Sequence, residues 1–121
     1  MNYGIATWLT GIAETEFPSG GVVAFNIGLF EGAEGFTAYL IGSKEYDSSD
    51  SDWACSEDFV PERKYFKLEH SIGKEWGLLE SEVVNEVKSF LLSPSAAKSF
   101  FAKAVAVTVG FDDGDLVKVG P

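Results

Sequence analysis

Residues 21–41 decide the fold and read G-V-V-A-F-N-I-G-L-F-E-G-A-E-G-F-T-A-Y-L-I. Gly21–Phe30 has large apolar residues at alternate positions, as in a strand that buries one face; they are Val23, Phe25, Ile27 and Leu29. Gly32–Gly35 has the composition of a short turn, and Phe36–Ile41 has that of a second strand. Because strands joined by so short a turn run in opposite directions, the stretch predicts an antiparallel hairpin.

Two helices flank this hairpin in the sequence. The first has apolar residues at helical spacing, namely Ile5, Trp8, Leu9 and Ile12, and Asn2 is a candidate N-cap. The second keeps the same spacing through Ile72, Trp76, Leu79, Val83, Val87 and Phe90. Ser71 is placed to cap its start, and Pro94 to end it. We therefore expect the apolar stripes, with Trp8 and Trp76, to lie in the core.

Further strands and a short helix follow from the rest of the chain. Alternation across Arg63–Leu68 predicts a strand whose even-numbered apolar residues, Phe66 and Leu68, point inward. Ser93 before Pro94 is typical of an N-cap followed by the first residue of a helix, so a short helix should begin there.

A C-terminal hairpin completes the order of elements. In Val105–Val109 the valines alternate with small or polar residues, as in a strand. Asp112–Asp115 has the composition of a turn, and it leads into a second strand, Leu116–Val119. With 121 residues and a mass of 13.1 kDa, the chain fits one domain, residues 1–121. These elements predict an α+β fold, in which a mainly antiparallel sheet of about five to six strands carries helices packed on one face.

Charge is concentrated in the first half of the chain. The sequence has 19 acidic and nine basic residues, a net charge of −10. Residues 1–60 hold ten of the acids and a single base, Lys44, which gives −9 for that half. Such a field repels nucleic acids and anionic membranes and attracts basic partners, although it also serves solubility alone. No apolar run is long enough to span a bilayer, and the N-terminal residues do not resemble a secretion signal.

Residue counts disfavour most catalytic and metal chemistry. With one cysteine, Cys55, and one histidine, His70, the chain cannot form an internal disulfide or a multi-cysteine zinc site. A Cys55–His70 pair is arithmetically available, but acidic surroundings disfavour the thiolate it would need. The acidic residues do not match the spacing of a calcium-binding loop. We therefore expect no catalytic residue, metal or cofactor, and the cysteine usage favours the cytoplasm.

The segment Gly42–Pro61 is a serine- and acid-rich loop. Its acids are Glu45, Asp47, Asp50, Asp52, Glu57 and Asp58. Serine and aspartate favour solvated turns because their side chains compete for backbone hydrogen bonds. Trp53 lies among these acids and has two interpretations. It either anchors the loop to the core or forms an interface hot spot ringed by carboxylates.

The size of the chain, its acidic first half and the segment D-W-A-C-S-E-D-F at residues 52–59 resemble the small cytosolic immunity proteins of bacterial toxin systems. The resemblance implies a cytoplasmic, non-enzymatic inhibitor that binds and blocks a toxin domain, often a basic nuclease. It implies a partner-binding role for six residues of this chain: Asp47, Asp50, Asp52, Trp53, Glu57 and Asp58.

Two other functions stay open from the sequence. The chain could be a structural or accessory protein that forms a homodimer or larger homo-oligomer, because its sheet edges and many phenylalanines could bury a symmetric interface. It could also be a small ligand-binding domain or enzyme, which would require a cavity with converging polar groups. A basic protein partner, with neither nucleic acid nor membrane, remains the leading expectation.

Overall fold

The computed structural model describes residues 2–121 and contains five strands and three α-helices. In chain order the elements are α1 (Ile5–Thr15), β1 (Ala24–Gly32), β2 (Gly35–Ser43), a first 3₁₀ turn (Ser51–Cys55), β3 (Tyr65–Lys67), α2 (Trp76–Leu91), α3 (Pro94–Ala97), a second 3₁₀ turn (Phe100–Lys103), β4 (Ala106–Phe111) and β5 (Val117–Gly120). Among residues 2–121, no helix has the length and apolar character needed to cross a membrane.

The five strands form one sheet in the order β3-β2-β1-β4-β5. The predicted hairpin is confirmed, because β1 and β2 pair antiparallel with Gly32 opposite Gly35. The β2–β3 and β4–β5 pairs are also antiparallel, whereas β1 and β4 run parallel. A parallel pair needs a long crossover connection, and here the chain passes through α2 and α3 before it returns as β4. The mainly antiparallel α+β fold is therefore confirmed.

The main core lies between the helices and one face of the sheet. Alternate residues of β1, β2 and β4 supply the sheet side: Phe25, Ile27, Leu29, Phe36, Ala38, Leu40, Val107 and Val109. The helices contribute the apolar stripes expected from their spacing: Ile5, Trp8, Leu9, Ile12, Leu79, Val83, Val87 and Phe90. Because side chains alternate along a strand, the residues between these positions belong to the opposite face, here called the second face.

The start of α2 differs from the prediction. The helix begins at Trp76, and the carboxylate of Glu75 caps it by accepting hydrogen bonds from the amides of Gly77 and Leu78. Ser71 is not the cap. Its buried hydroxyl donates to the Leu68 carbonyl and accepts from the Phe36 amide, which ties this turn to the hairpin.

The predicted positions of Ile72 and Trp76 in the core are therefore wrong. Ile72 precedes α2 and is exposed, and the Trp76 side chain, in the first turn, retains 48% of its accessible surface. Ile72 precedes the true N-cap, so the helical period does not extend to it. Trp76 is the first residue of the helix, where one side of its ring covers Phe111 and the other side is left to solvent.

The start of α1 also differs from the prediction. Gly4 occupies the N-cap position in the left-handed region, at φ 88°, and offers no side chain as a cap. Glu86 of α2 takes that role, because its carboxylate accepts hydrogen bonds from the amides of Tyr3 and Ile5. Asn2 instead accepts from the Gly4 amide. At α3 the prediction is confirmed, since the Ser93 hydroxyl accepts from the Ala96 amide.

Candidate functional site

The serine- and acid-rich segment Gly42–Pro61, here called the acidic loop, folds across the second face of the sheet and is fixed there by Trp53. This indole is only 5% exposed and packs against Ala24 and Ala106, which face each other in the β1–β4 register. Two neighbouring alanines leave the shallow surface that a large ring can cover. Tyr46 adds an edge-to-face contact, with ring centroids 5.2 Å apart. The geometry thus matches the interpretation of Trp53 as a loop anchor, and little of its surface is left for a partner.

Aspartates in the loop hold its backbone in place. Asp47 accepts hydrogen bonds from the amide and hydroxyl of Ser49, at 2.9 and 2.7 Å, and Asp50 accepts one from the Asp52 amide at 3.0 Å. The two bonds to Asp47 lower the pKa of its carboxyl group. Because aspartates that bond the backbone two residues ahead define tight turns, these hydrogen bonds hold the turns of the loop through contacts within the chain itself.

Asp58 closes the loop at its far end. Its carboxylate accepts a hydrogen bond from the Lys44 amide at 2.8 Å, while the backbone of Phe59 pairs with Gly42 at the end of β2. The loop is therefore joined to the sheet at both ends.

The turn Asp112–Asp115, between β4 and β5, lies beside the acidic loop. A cavity of about 330 Å³ between them is lined by Asp52 and Glu57 from the loop and by Asp112 from the turn. A second cavity, of about 450 Å³, is lined by Asp47 and Asp50 together with Asp115. These six carboxylates form the acidic face: Asp47, Asp50, Asp52, Glu57, Asp112 and Asp115. Asp58 lines neither cavity.

Glycine allows the turn to fold back this closely. A Cβ atom at Gly110 would lie 2.7 Å from the carbonyl oxygen of Asp115 and 2.9 Å from the Leu116 side chain. The sequence placed the loop and the turn 54 residues apart, from Asp58 to Asp112, and gave no sign that β1–β4 pairing brings them together.

Most carboxylates of the acidic face form no ion pair within residues 2–121, although Lys118 lines the same cavity as Asp47, Asp50 and Asp115. Glu57 forms an ion pair with Lys64 at 2.8 Å, and its hydrogen bond raises the pKa of the lysine. Among residues 2–121, Asp47, Asp50, Asp52 and Asp112 have no ion pair. The acidic face therefore keeps most of its negative charge in the folded protein.

Tyr39 lies at the centre of the second face, beside the acidic face. Its ring covers Gly28 on β1, where a Cβ atom would overlap it, and its hydroxyl donates a hydrogen bond to Asp112. Burial and that bond to a carboxylate raise the pKa of Tyr39. Sequence reasoning did not select Tyr39. The signal was its alternation with the inward residues Ala38 and Leu40, which directs it to the second face.

Trp76 is the tryptophan that the structure leaves accessible. It stacks on Phe111, the last residue of β4, and its ring nitrogen donates to Glu31 at 3.1 Å. Leu78 beside it is also exposed. The exposed ring thus lies on α2, where a core position was expected, and the ring in the loop is buried, as in the anchor interpretation.

Within residues 2–121, the structure brings together neither the Cys55–His70 pair nor a cluster of metal ligands. Cys55 lies in the first 3₁₀ turn over the second face, whereas His70 lies in the turn after β3, and no hydrogen bond joins them. No group of three or more potential metal ligands is present in this part of the chain. Comparisons with protein-family models, with curated proteins and with solved structures give no match for this chain.

Proposed function

We propose that this protein is a non-enzymatic binding protein that captures a basic protein partner on its acidic face. The observation that carries the proposal is a set of fixed, largely uncompensated carboxylates over a folded sheet. A loop whose backbone is already ordered loses little conformational entropy on binding. Uncompensated charge accelerates the approach of a basic surface and disfavours acidic ones.

An immunity protein of a toxin system is the specific role that we propose. Its partner would be a toxin domain with lysine and arginine around a nucleic-acid channel. Bound carboxylates would occupy the positions that phosphates take in such a channel, so that substrate is excluded by charge and by bulk. A cytoplasmic location is part of this proposal, because an immunity protein acts where its toxin would act.

In this proposal the loop residues have two different tasks. Asp47, Asp50, Asp52 and Glu57 present charge to the partner, whereas Trp53 and Asp58 hold the loop in the shape that presents it. The partner-binding role expected for Trp53 is thus indirect, through the position of its neighbours.

The test is direct binding to the product of the adjacent gene. We expect the two purified proteins to form a stable complex in isothermal titration calorimetry, and co-expression to relieve growth arrest caused by that product. The variant His70→Ala should bind as the wild type does, because His70 lies in the turn after β3, outside the acidic face. Cys55→Ser should also bind normally, because Cys55 lines the cavity of about 330 Å³ but serine is nearly the same size and changes no charge. Absence of binding would contradict the immunity role, and loss of protection in either variant without loss of fold would contradict a non-enzymatic mechanism.

A homodimer is the second candidate, and the exposed apolar side chains at the start of α2 favour it. Ile72, Trp76 and Leu78 all keep about half or more of their surface accessible. Exposed aromatic and aliphatic groups of this kind are common in interfaces between identical subunits. Measuring the molecular mass in solution tests the homodimer. A dimer in the wild type that becomes a monomer in the variant Trp76→Ser would support it. A wild-type protein that stays monomeric at high concentration would exclude it.

A further inference from the structure

Three aromatic rings form a cluster on the second face, beside the acidic face. Phe30, Tyr39 and Tyr65 lie on the adjacent strands β1, β2 and β3, and each pair of ring centroids is 6.2 Å apart. We call this group the aromatic triad. Its rings are inclined to one another by 38° to 84°, and Tyr65 is 58% exposed. A groove of about 280 Å³ runs over the triad and is bounded by Glu57 and Asp112.

A cation of the chain itself already lies in this groove. The ammonium group of Lys64 is 5.6 Å from the centroid of the Tyr39 ring and 5.1 Å from that of Tyr65. It also donates to Glu57 at 2.8 Å. Aromatic faces attract cations through their quadrupole, and a carboxylate beside them adds direct charge attraction. Lys64 therefore shows which kind of group the site binds.

One carboxylate of the groove is still without a cation. Asp112 accepts the Tyr39 hydroxyl but forms no ion pair within residues 2–121. The groove therefore holds two carboxylates and one ammonium group, which pairs with Glu57, and it keeps a net negative charge. The groove adjoins the cavity of about 330 Å³ between the loop and the turn, because Tyr39, Glu57 and Asp112 line both.

The cavity of about 330 Å³ also offers a hydrogen-bond donor, from Asn26. Asn26 is 3% exposed, and its side-chain oxygen accepts a hydrogen bond from the Thr108 hydroxyl at 2.9 Å. This leaves the amide nitrogen as the group that Asn26 can offer to the cavity, and a peptide carbonyl is a suitable acceptor. A protein segment with a cationic side chain and a nearby main-chain carbonyl would match both parts of the site.

We propose that the aromatic triad, with Glu57 and Asp112, is the subsite that receives an arginine side chain of the basic partner in competition with Lys64. The proposal rests on the proposed function, because it names the group that the acidic face recognises. Arginine fits better than lysine for two reasons. Its planar guanidinium stacks on an exposed ring such as that of Tyr65, and its fork of donors pairs with a carboxylate such as Asp112 through two hydrogen bonds.

The test uses a small probe instead of the partner. A capped Gly-Arg-Gly peptide is titrated into the labelled protein and followed by NMR at low salt, with capped Gly-Lys-Gly and Gly-citrulline-Gly as comparisons. We expect the arginine peptide to shift the ring signals of Tyr39 and Tyr65, the lysine peptide to bind more weakly, and the uncharged peptide not to bind. Tyr65→Leu should lower the affinity for the arginine peptide by about fivefold, which corresponds to the loss of one cation–π contact.

Competition with Lys64 gives the decisive comparison. Lys64→Met removes the internal cation and should raise the affinity for the arginine peptide by about fivefold, because the peptide no longer has to displace a paired ammonium group. Lys67→Met is the matched control: it removes the same charge three residues further along the chain, but its ammonium pairs with Glu34 at 3.6 Å, whereas that of Lys64 lies over two rings of the triad. It should change the affinity by less than about twofold.

Two results would overturn the proposal. Equal effects of Lys64→Met and Lys67→Met would show that only net charge matters. Peptide shifts that spare Tyr39 and Tyr65 would place the cation elsewhere. Neither result bears on the proposed function, which fails only if the whole basic partner does not bind. If the partner binds equally well to the wild type, Tyr65→Leu and Lys64→Met, the acidic face is the interface and the triad is not its arginine subsite.

Discussion

The indole of Trp76 stacks on the ring of Phe111, with centroids 5.0 Å apart and an angle of 18° between the planes. The contact joins the first turn of α2 to the end of β4, so the ring stabilises the fold even though half of it is exposed. A stacked pair contributes about 0.5–1.5 kcal/mol beyond the area that it buries.

Trp76→Ala should therefore lower the free energy of unfolding by about 1.5–3 kcal/mol, the sum of the stacking and of the half of the ring that is buried, which is less than the cost at a core position. Leu79→Ala is the control, because Leu79 is fully buried in the same helix; it should cost about 2–5 kcal/mol. Urea denaturation measures both. A loss of more than about 3 kcal/mol for Trp76→Ala would place this ring in the core.

Trp53→Ala should lower the free energy of unfolding by about 3 kcal/mol, because the indole is buried between the loop and the alanines of β1 and β4. Hydrogen exchange at the Asp52 amide, which bonds to Asp50, should accelerate as the loop detaches. Exchange in the strands should change far less. A variant with wild-type stability and wild-type exchange in the loop would show that Trp53 does not anchor it.

Glu80 gives a prediction for pH. Burial and the charge of Asp115 raise the pKa of its carboxyl group in the folded protein. Folding therefore favours the protonated form, and the stability associated with it is lost as pH rises through the folded pKa. Glu80→Gln should raise the melting temperature at pH 7, and the gain should vanish below about pH 4, where the unfolded carboxyl group is also protonated.

The exposed Glu69 provides the control for that measurement. Glu69→Gln removes the same charge and should leave the melting temperature nearly unchanged at both pH values. If Glu80→Gln and Glu69→Gln raised the melting temperature equally at pH 7, the effect would come from net charge and not from the position of Glu80.

The sequence was sufficient for those elements whose pattern repeats locally. Alternation in residues 21–41 predicted the hairpin, and the spacing from Leu79 to Phe90 predicted the buried stripe of α2. The start of α1 was less predictable because its cap, Glu86, comes from α2. A cap supplied across a tertiary contact leaves no local signal.

The candidate site could be predicted only in part, for a related reason. The loop acids were visible as a run of charge, but the acidic face also needs Asp112 and Asp115, which reach it through the parallel pairing of β1 with β4. The sequence left the burial of Trp53 open and assigned Trp76 wrongly to the core, because burial depends on tertiary neighbours. Trp53 covers two small residues that meet only in the folded sheet.

The central claim is that fixed carboxylates of the acidic face attract and hold a basic partner. The most direct test is the association kinetics of the double variant Asp50→Asn, Asp52→Asn with the product of the adjacent gene. Measurements at about 30 mM and about 300 mM salt bracket the ionic strength at which screening acts over about 10 Å. Glu14→Gln with Glu69→Gln is the matched control, because it removes two exposed charges outside the acidic face.

We predict that the wild-type association rate falls steeply with salt. The Asp50→Asn, Asp52→Asn variant should associate about fivefold more slowly at low salt, with a flatter salt dependence and an unchanged melting temperature. The control variant should stay within about twofold of the wild type. Equal slowing by both pairs, or wild-type kinetics in the Asp50→Asn, Asp52→Asn variant, would contradict binding through the acidic face.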